Sequence, residues 1–294
     1  MKVVLAGSII NPRNVNILTN EGPPIALSIA EFDPSGQSGT IADLKTFSAH
    51  HCYGVASITA LALPQRGGGA SFQPTAAAWL RDSILSLMHG QAVRAIKIGL
   101  LCGSESAETV CEILNANPSV PVVLDPDLRG MESNGGKVIA AADIIRTLLL
   151  PRATVVTPNA TEAAVLSGLQ VQSAAEMKTA AAKLVEMGAH AAVVAGGVFE
   201  KPCDIYFDRQ LCETLVGECF KLEAPYGPGA TFSTAIAANL ALGRQPHDAV
   251  VMAKAFVTEA LRKGYTTDSG TVLLNHFYRT LPSPRVVDGE SEVS

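Results

Sequence analysis

The chain has 294 residues, 48% of them apolar and 17% charged, with a net charge of −5. That apolar share can build a sizeable core and excludes an intrinsically disordered chain. The mildly acidic balance, with no basic cluster, argues against nucleic acid or an anionic membrane as partner.

Six cysteines, at positions 52, 102, 111, 203, 212 and 219, are scattered without a Cys-x-x-Cys pair and read as reduced, buried thiols. The apolar start Met1 to Ile10 is broken by Gly7 and falls far short of the ~20 residues that span a bilayer. Both features predict a cytoplasmic protein.

Residues 1–22 read as an extension, which Gly22-Pro23-Pro24 closes. Ile25 to Ala30 is an apolar run of strand length. It ends in Glu31-Phe32-Asp33-Pro34-Ser35-Gly36-Gln37-Ser38-Gly39, and the amphipathic run Thr40 to His50 follows, giving a strand, loop and helix. A strand is expected over about Val55 to Leu63, then a flexible loop at Arg66-Gly67-Gly68-Gly69. Helical spacing from Thr75 to Met88 puts Trp79, Leu80, Ile84, Leu85, Leu87 and Met88 on a buried face.

Ala95 to Leu101, apolar but for Lys97, and Pro121 to Leu124 are runs of the kind that strands buried on both faces require, and the second ends at Asp125-Pro126-Asp127. Thr154 to Pro158 is another strand, followed by Asn159 and a helix carrying Glu162. A helix over Ala174 to Met187 leads to Ala191 to Val194 and then Gly196-Gly197. Shorter strands are expected near Asp204 to Phe207 and Cys219 to Leu222, helices over about 229–242 and 246–263, and a polar tail over 281–294. Repeated βα units of this length predict one α/β domain over 23–280, a three-layer αβα sandwich on a mostly parallel sheet.

In such a sheet a ligand sits outside the carboxyl ends of the strands. The polar groups expected there are Asp33, Asp43, Asp125, Asn159, Glu162 and the loop Tyr226-Gly227-Pro228-Gly229-Ala230-Thr231-Phe232-Ser233. Gly227 and Gly229 allow close backbone approach, and the helix that follows offers unpaired N–H groups and a positive dipole end. That is an anion hole, suited to phosphate or to a developing oxyanion. Carboxylates facing it suit a Mg-nucleotide.

Taken together, these motifs resemble the hydroxymethylpyrimidine/phosphomethylpyrimidine kinases of thiamine biosynthesis, within the ribokinase-like fold. The stretches that carry the resemblance run in the family's order over about residues 25–278. They are Asp33-Pro34-Ser35-Gly36, Ala42-Asp43-Leu44-Lys45-Thr46-Phe47-Ser48-Ala49, Tyr53-Gly54, Ile58-Thr59-Ala60-Leu61 and Lys97-Ile98-Gly99. Val122 to Pro126, Thr157-Pro158-Asn159 with Glu162-Ala163, Gly196-Gly197 and the loop ending in Ser233 complete the set.

The resemblance implies ATP and Mg²⁺, phosphorylation of a pyrimidine hydroxymethyl group and then of its monophosphate, and a homodimer. Asn159 and Glu162 match positions that orient metal and phosphates, with Asp125 as a second candidate Mg²⁺ ligand. Gly196 and Gly197 match the nucleotide-binding stretch, and Thr231 a phosphate contact. Asp33 and Asp43 fall on the substrate side. Asn159 also reads as a plain helix N-cap, Asp125 as a turn cap before Pro126, and His276 as a satisfied core histidine.

Four features depart from the family, the loop at 227–231 counting as one. Ala230 stands where the family carries cysteine or aspartate to take the proton of the substrate hydroxyl, and Pro228 removes one N–H from the same loop. Ala195 replaces a lysine before Gly-Gly. Glu31 replaces a glycine at the mouth of the first strand; it fills the pocket, meets a cationic group of a different ligand, turns to solvent, or takes over proton abstraction or the binding of a substrate amine. Pro64 or Gln65 falls where a glutamine reads the pyrimidine. Two functions are therefore expected: a kinase acting on a pyrimidine or a pyridoxal-like compound, or a non-catalytic relative that binds one as sensor or carrier.

Overall fold

The computed structural model describes residues 4–5, 8–9, 22–65, 69–129, 142–196, 203–218, 227–267 and 270–279. Within the expected extension, β1 (Val4–Leu5) pairs antiparallel with β2 (Ser8–Ile9). A nine-stranded sheet follows, built from β3 (Ile25–Phe32), β4 (Tyr53–Pro64), β5 (Ala70–Pro74), β6 (Val93–Ile98), β7 (Val122–Leu124), β8 (Val155–Val156), β9 (Ala191–Ala195), β10 (Cys203–Asp208) and β11 (Cys212–Val216). Its order is β11-β10-β9-β8-β7-β6-β3-β4-β5. The run from β4 to β9 is parallel, so those carboxyl ends share one edge, while β5, β10 and β11 are antiparallel. A small pair, β12 (Tyr265–Thr266) and β13 (Val272–Leu273), lies outside this sheet.

The helices are α1 (Gly39–Ala49), α2 (Ala77–Gly90), α3 (Ser104–Ala116), α4 (Ala160–Ser167), α5 (Ala174–Glu186), α6 (Pro228–Ala241) and α7 (Pro246–Arg262). Alternate strand side chains divide the core in two. Leu27, Ile29, Ile96, Ile98, Val122, Leu124 and Val156 pack with α2, α3, α4 and α5. Ala26, Ala95, Val123, Val155, Ala191 and Val193 face α1, α6 and α7. The expected three-layer αβα arrangement is the observed one.

Helix α6 shows how the sequence sets this packing. Every residue from Thr231 to Ala241 is buried, and the alanines among them let the helix lie close against β3, β6 and β7 on one side and α7 on the other. Its glycine-proline start is thereby fixed at the carboxyl edge of the sheet.

Two details of the expected elements change. Trp79 was placed on a buried face, yet it is 70% exposed, while Leu80 and Ile84 are buried. The apolar arc of α2 is narrower than its run of large side chains suggests. The edge strands β5 and β11 were not expected; their alternating exposure, Pro74 and polar residues hide them. The strand expected at Cys219 to Leu222 and the polar tail lie outside the described residues. Among the described residues no helix is long and apolar enough to cross a membrane.

Candidate active site

A cavity of about 630 Å³ opens at the carboxyl edge of the sheet. Its wall runs from Glu31, Ser38, Lys97, Gly99 and Leu100, across Asp125, Asp127, Thr157, Asn159 and Glu162, to Ala195, Asp204 and Gly217. Gly227, Pro228, Gly229 and Ala230 line it from the start of α6, and Lys254, Val257, Thr258 and Leu261 from α7.

Gly227 is the N-cap of α6, with φ 98°, and Pro228 is the first helical residue. A Cβ at Gly227 would sit 1.8 Å from the carbonyl oxygen of Gln37, so only glycine lets the β3–α1 loop close against the helix start. Thr231 N–H donates to the Gly227 carbonyl, 3.0 Å. The N–H groups of Gly229 and Ala230 precede the first possible intrahelical bond and Pro228 has none, leaving two donors at the positive end of the helix. The helix start therefore offers two free donors, one fewer than a start without proline.

The other wall is built on a buried lysine. Lys97 on β6 is 1% exposed, and its Nζ lies 3.1 and 3.3 Å from the two carboxylate oxygens of Asp43 and 4.0 Å from Asp125 Oδ2. Burial opposes the ammonium charge, but Asp43, Asp125 and Glu31 outweigh it and hold the lysine above its usual range. Asp43 also accepts hydrogen bonds from Ser28 Oγ, 2.5 Å, and from Thr234 Oγ1. It stands behind Lys97 instead of lining the cavity, as was expected of it, because it lies on the face of α1 that packs against β3 and α6.

Glu31 is 2% exposed and does not turn to solvent; its Oε1 accepts from Ser38 Oγ at 2.9 Å. Burial, with Asp127 and Asp43 nearby, raises its pKa against the pull of Lys97. Burial likewise raises Asp125, whose Oδ2 lies 2.9 Å from Ser233 Oγ. That hydroxyl is also 3.0 Å from the Ala230 carbonyl. Asp127 is ion-paired with Arg129.

Asn159 and Glu162 form a reciprocal capping box on α4: Glu162 N–H donates to Asn159 Oδ1 and Asn159 N–H to Glu162 Oε2, each 2.9 Å. The helix-cap reading of Asn159 is therefore correct, and it leaves both side chains on the cavity wall. Burial and then the charge of Asp125 push Glu162 up to about 8. A carboxyl raised in the folded state stabilises below its unfolded pKa and loses that contribution as pH climbs through the folded one. The ligand-free protein should lose thermal stability between about pH 4.5 and pH 8 through this group. Glu162→Gln should flatten that slope in melts recorded across the range; an unchanged slope would show that Glu162 does not titrate there.

Other expected site residues fall behind the wall. Asp33 shapes the β3–α1 loop, accepting from Ser35 N–H at 2.9 Å, Ser35 Oγ at 2.7 Å and Ser38 N–H at 3.1 Å. Thr231 is fully buried and its hydroxyl lies 3.2 Å from His276 Nε2, so it faces the core and not the cavity. His276 is buried, and burial with the charge of Lys45 lowers it to about 4. Gln65 is exposed at the end of β4, apart from the cavity lining, and Gly196 is buried beside Ala195. Gly197 lies outside the described residues.

Lys97, Ser38, Asp204 and Lys254 also line the cavity, and no sequence motif marks a role for them. For Lys97 a signal existed: a lysine inside the apolar run Ala95 to Leu101, which only a buried counter-charge permits.

The profile of the phosphomethylpyrimidine kinase family matches residues 33–275. The hydroxymethylpyrimidine/phosphomethylpyrimidine kinase of Synechococcus elongatus is 34% identical over 261 residues, 87% of this chain and 98% of the relative. Bacillus subtilis pyridoxal kinase, solved as an ADP complex, superposes with a TM-score of 0.81 at 30% identity, covering 87% of this chain and 98% of that one. Staphylococcus aureus pyridoxal kinase, solved with AMP-PCP and pyridoxal, gives a TM-score of 0.80 at 30% identity, covering 89% and 97%. With that profile spanning most of the sequence and the ribokinase-like sheet carrying the cavity at its carboxyl edge, the chain belongs to the phosphomethylpyrimidine kinase family.

Proposed function

We propose that the protein is an ATP-dependent kinase that phosphorylates the hydroxymethyl group of a heteroaromatic ring, either the pyrimidine of thiamine biosynthesis or a pyridoxal-like compound. One observation carries this reading: a single cavity joins the free N–H groups at the start of α6 to the capped, carboxylate-bearing start of α4 and to buried Lys97. Phosphoryl transfer needs little more than this, because it depends on positioning and electrostatic stabilisation.

In this reading Gly229 and Ala230 N–H hold the transferring phosphoryl group. Lys97, kept charged by Asp43, supports the developing negative charge. Glu31, with one oxygen tied to Ser38, offers the other to a donor on the acceptor ring. Asp125 and Glu162 would hold Mg²⁺, which neutralises phosphate charge. The fit rests on their mutual repulsion, which a divalent cation relieves, and on Mg²⁺ taking only one or two protein carboxylates and completing its shell with phosphate and water.

A second reading, a non-catalytic binder, is favoured by Ala230: its methyl group cannot accept the hydroxyl proton. Titration calorimetry with ADP and with each acceptor tests the binding half of both readings. A ligand at 100 times its Kd should add ~2.7 kcal/mol of stability. In the same assay Glu31→Ala should weaken acceptor binding on the order of tenfold or more, the worth of a charged hydrogen bond, and leave ADP affinity alone. Full acceptor affinity and activity in that variant would remove Glu31 from the site.

A further inference from the structure

A second cavity lies at the opposite, amino-terminal edge of the sheet, where the loops entering β7, β8 and β9 meet. It measures about 280 Å³ and is lined by residues 118–121, 151–154, 188 and 190. Hydrogen bonds fix its walls: Thr154 N–H donates to the Val122 carbonyl at 2.8 Å, Thr154 Oγ1 accepts from Val122 N–H at 3.0 Å, and His190 N–H donates to the Ala153 carbonyl at 3.0 Å. Gly188, with φ 125°, lets its loop close on Pro151, since a Cβ there would stand 3.1 Å from Pro151 Cα. The ionisable residues of the lining are Arg152 and His190, with no carboxylate among them. Arg152 Nη2 donates to the Leu114 carbonyl of α3 at 2.9 Å, but its buried Nε has no partner among the described residues. Asp208, the acidic neighbour of His190, is already engaged by the Tyr206 hydroxyl and by the N–H groups of Gln210 and Leu211, each at 2.7 Å.

We propose that this cleft binds a small phosphate compound, apart from the main cavity, with Arg152 as the principal contact. A guanidinium with a buried, unpartnered N–H is short of acceptors, and phosphate oxygens match its planar fork. The Thr154 hydroxyl oxygen already accepts, so its O–H is left to donate, and Ser119 and the His190 imidazole bring donors from the other two loops. Donors arriving from three loops suit the three terminal oxygens of a phosphate better than the two of a carboxylate. Pro118, Pro121 and Pro151 stiffen those loops, so little ordering is needed before binding. The volume stands at the small end of ligand pockets, which fits free phosphate or a small phosphate monoester and excludes a nucleotide. The sheet separates the two cavities, so both can be filled at once, and the proposal does not depend on the kinase reading.

The test is a titration of the full chain with inorganic phosphate and with methyl phosphate, balanced against chloride at constant ionic strength and followed by proton–nitrogen NMR. The Arg152 Nε–H and His190 backbone N–H signals report on this cleft alone, whatever the main cavity binds. Both should move along one saturable curve with either phosphate compound and stay still with chloride. Arg152→Gln should weaken that binding on the order of tenfold or more, read from the His190 signal, as loss of a charge-assisted hydrogen bond does. Because Arg152 also holds the end of α3, His190→Ala is measured beside it; this exposed side chain can be removed without touching the core, and the Arg152 signal should then report weaker binding. Tighter binding of methyl phosphate would make a phosphate monoester the ligand, and equal or weaker binding would make it free phosphate. Signals that do not move in the wild-type protein, or curves unchanged in both variants, would overturn the inference.

Discussion

Ala230→Cys should raise the turnover of phosphoryl transfer on the order of 10²–10⁴-fold, the usual contribution of a positioned proton acceptor. Residue 230 is the third residue of α6, on the cavity wall, where the helix dipole favours a thiolate. The substitution adds one sulfur to a half-buried methyl group and keeps the N–H of residue 230 as a donor, so ADP affinity should not change. Steady-state kinetics with MgATP and a hydroxymethyl acceptor check this, with the gain appearing in kcat and not in KM. An unchanged kcat would mean that proton removal does not limit the rate.

Lys97→Met should produce the largest loss of stability of any single change at the site, about 3–5 kcal/mol, because it strands buried carboxylates without their counter-charge. Asp43 is fully buried, so its charge has no route to solvent. Lys97→Met/Asp43→Asn should recover much of the loss, since asparagine can still accept from Ser28 and Thr234 and carries no charge. Denaturant midpoints at neutral pH decide the matter. A Lys97→Met protein as stable as wild type would show that the Lys97–Asp43 pair does not hold the site together.

The chemistry at the two helix starts could be read from sequence because each is local. Gly227-Pro228-Gly229 specifies a left-handed N-cap followed by a fixed first turn, and Asn159 with Glu162 three residues on specifies a capping box. Both depend on neighbours within a turn. The Lys97 cluster could not be read in the same way. Lys97 meets Asp43 from α1 and Asp125 from the end of β7, Thr234 of α6 donates to Asp43, and only the packed layers bring them together. Asp43 thus looked like a substrate contact, while the fold uses it to keep a lysine charged. Lys254 was hidden for the same reason: on a helix it reads as a solvated charge until β10 supplies Asp204 beneath it. Trp79 failed in the opposite direction, since a large apolar side chain at helical spacing need not fall within the arc that meets the core.

The most direct test of the account is product analysis on the wild-type protein with MgATP and hydroxymethylpyrimidine, and in parallel with pyridoxal, by phosphorus NMR. The account predicts a phosphorylated hydroxymethyl group on one of the two acceptors, with one ADP formed per product. Binding of ADP and acceptor with no phosphorylated product, and its appearance only in Ala230→Cys, would contradict the kinase reading and show a binding protein built on a kinase fold.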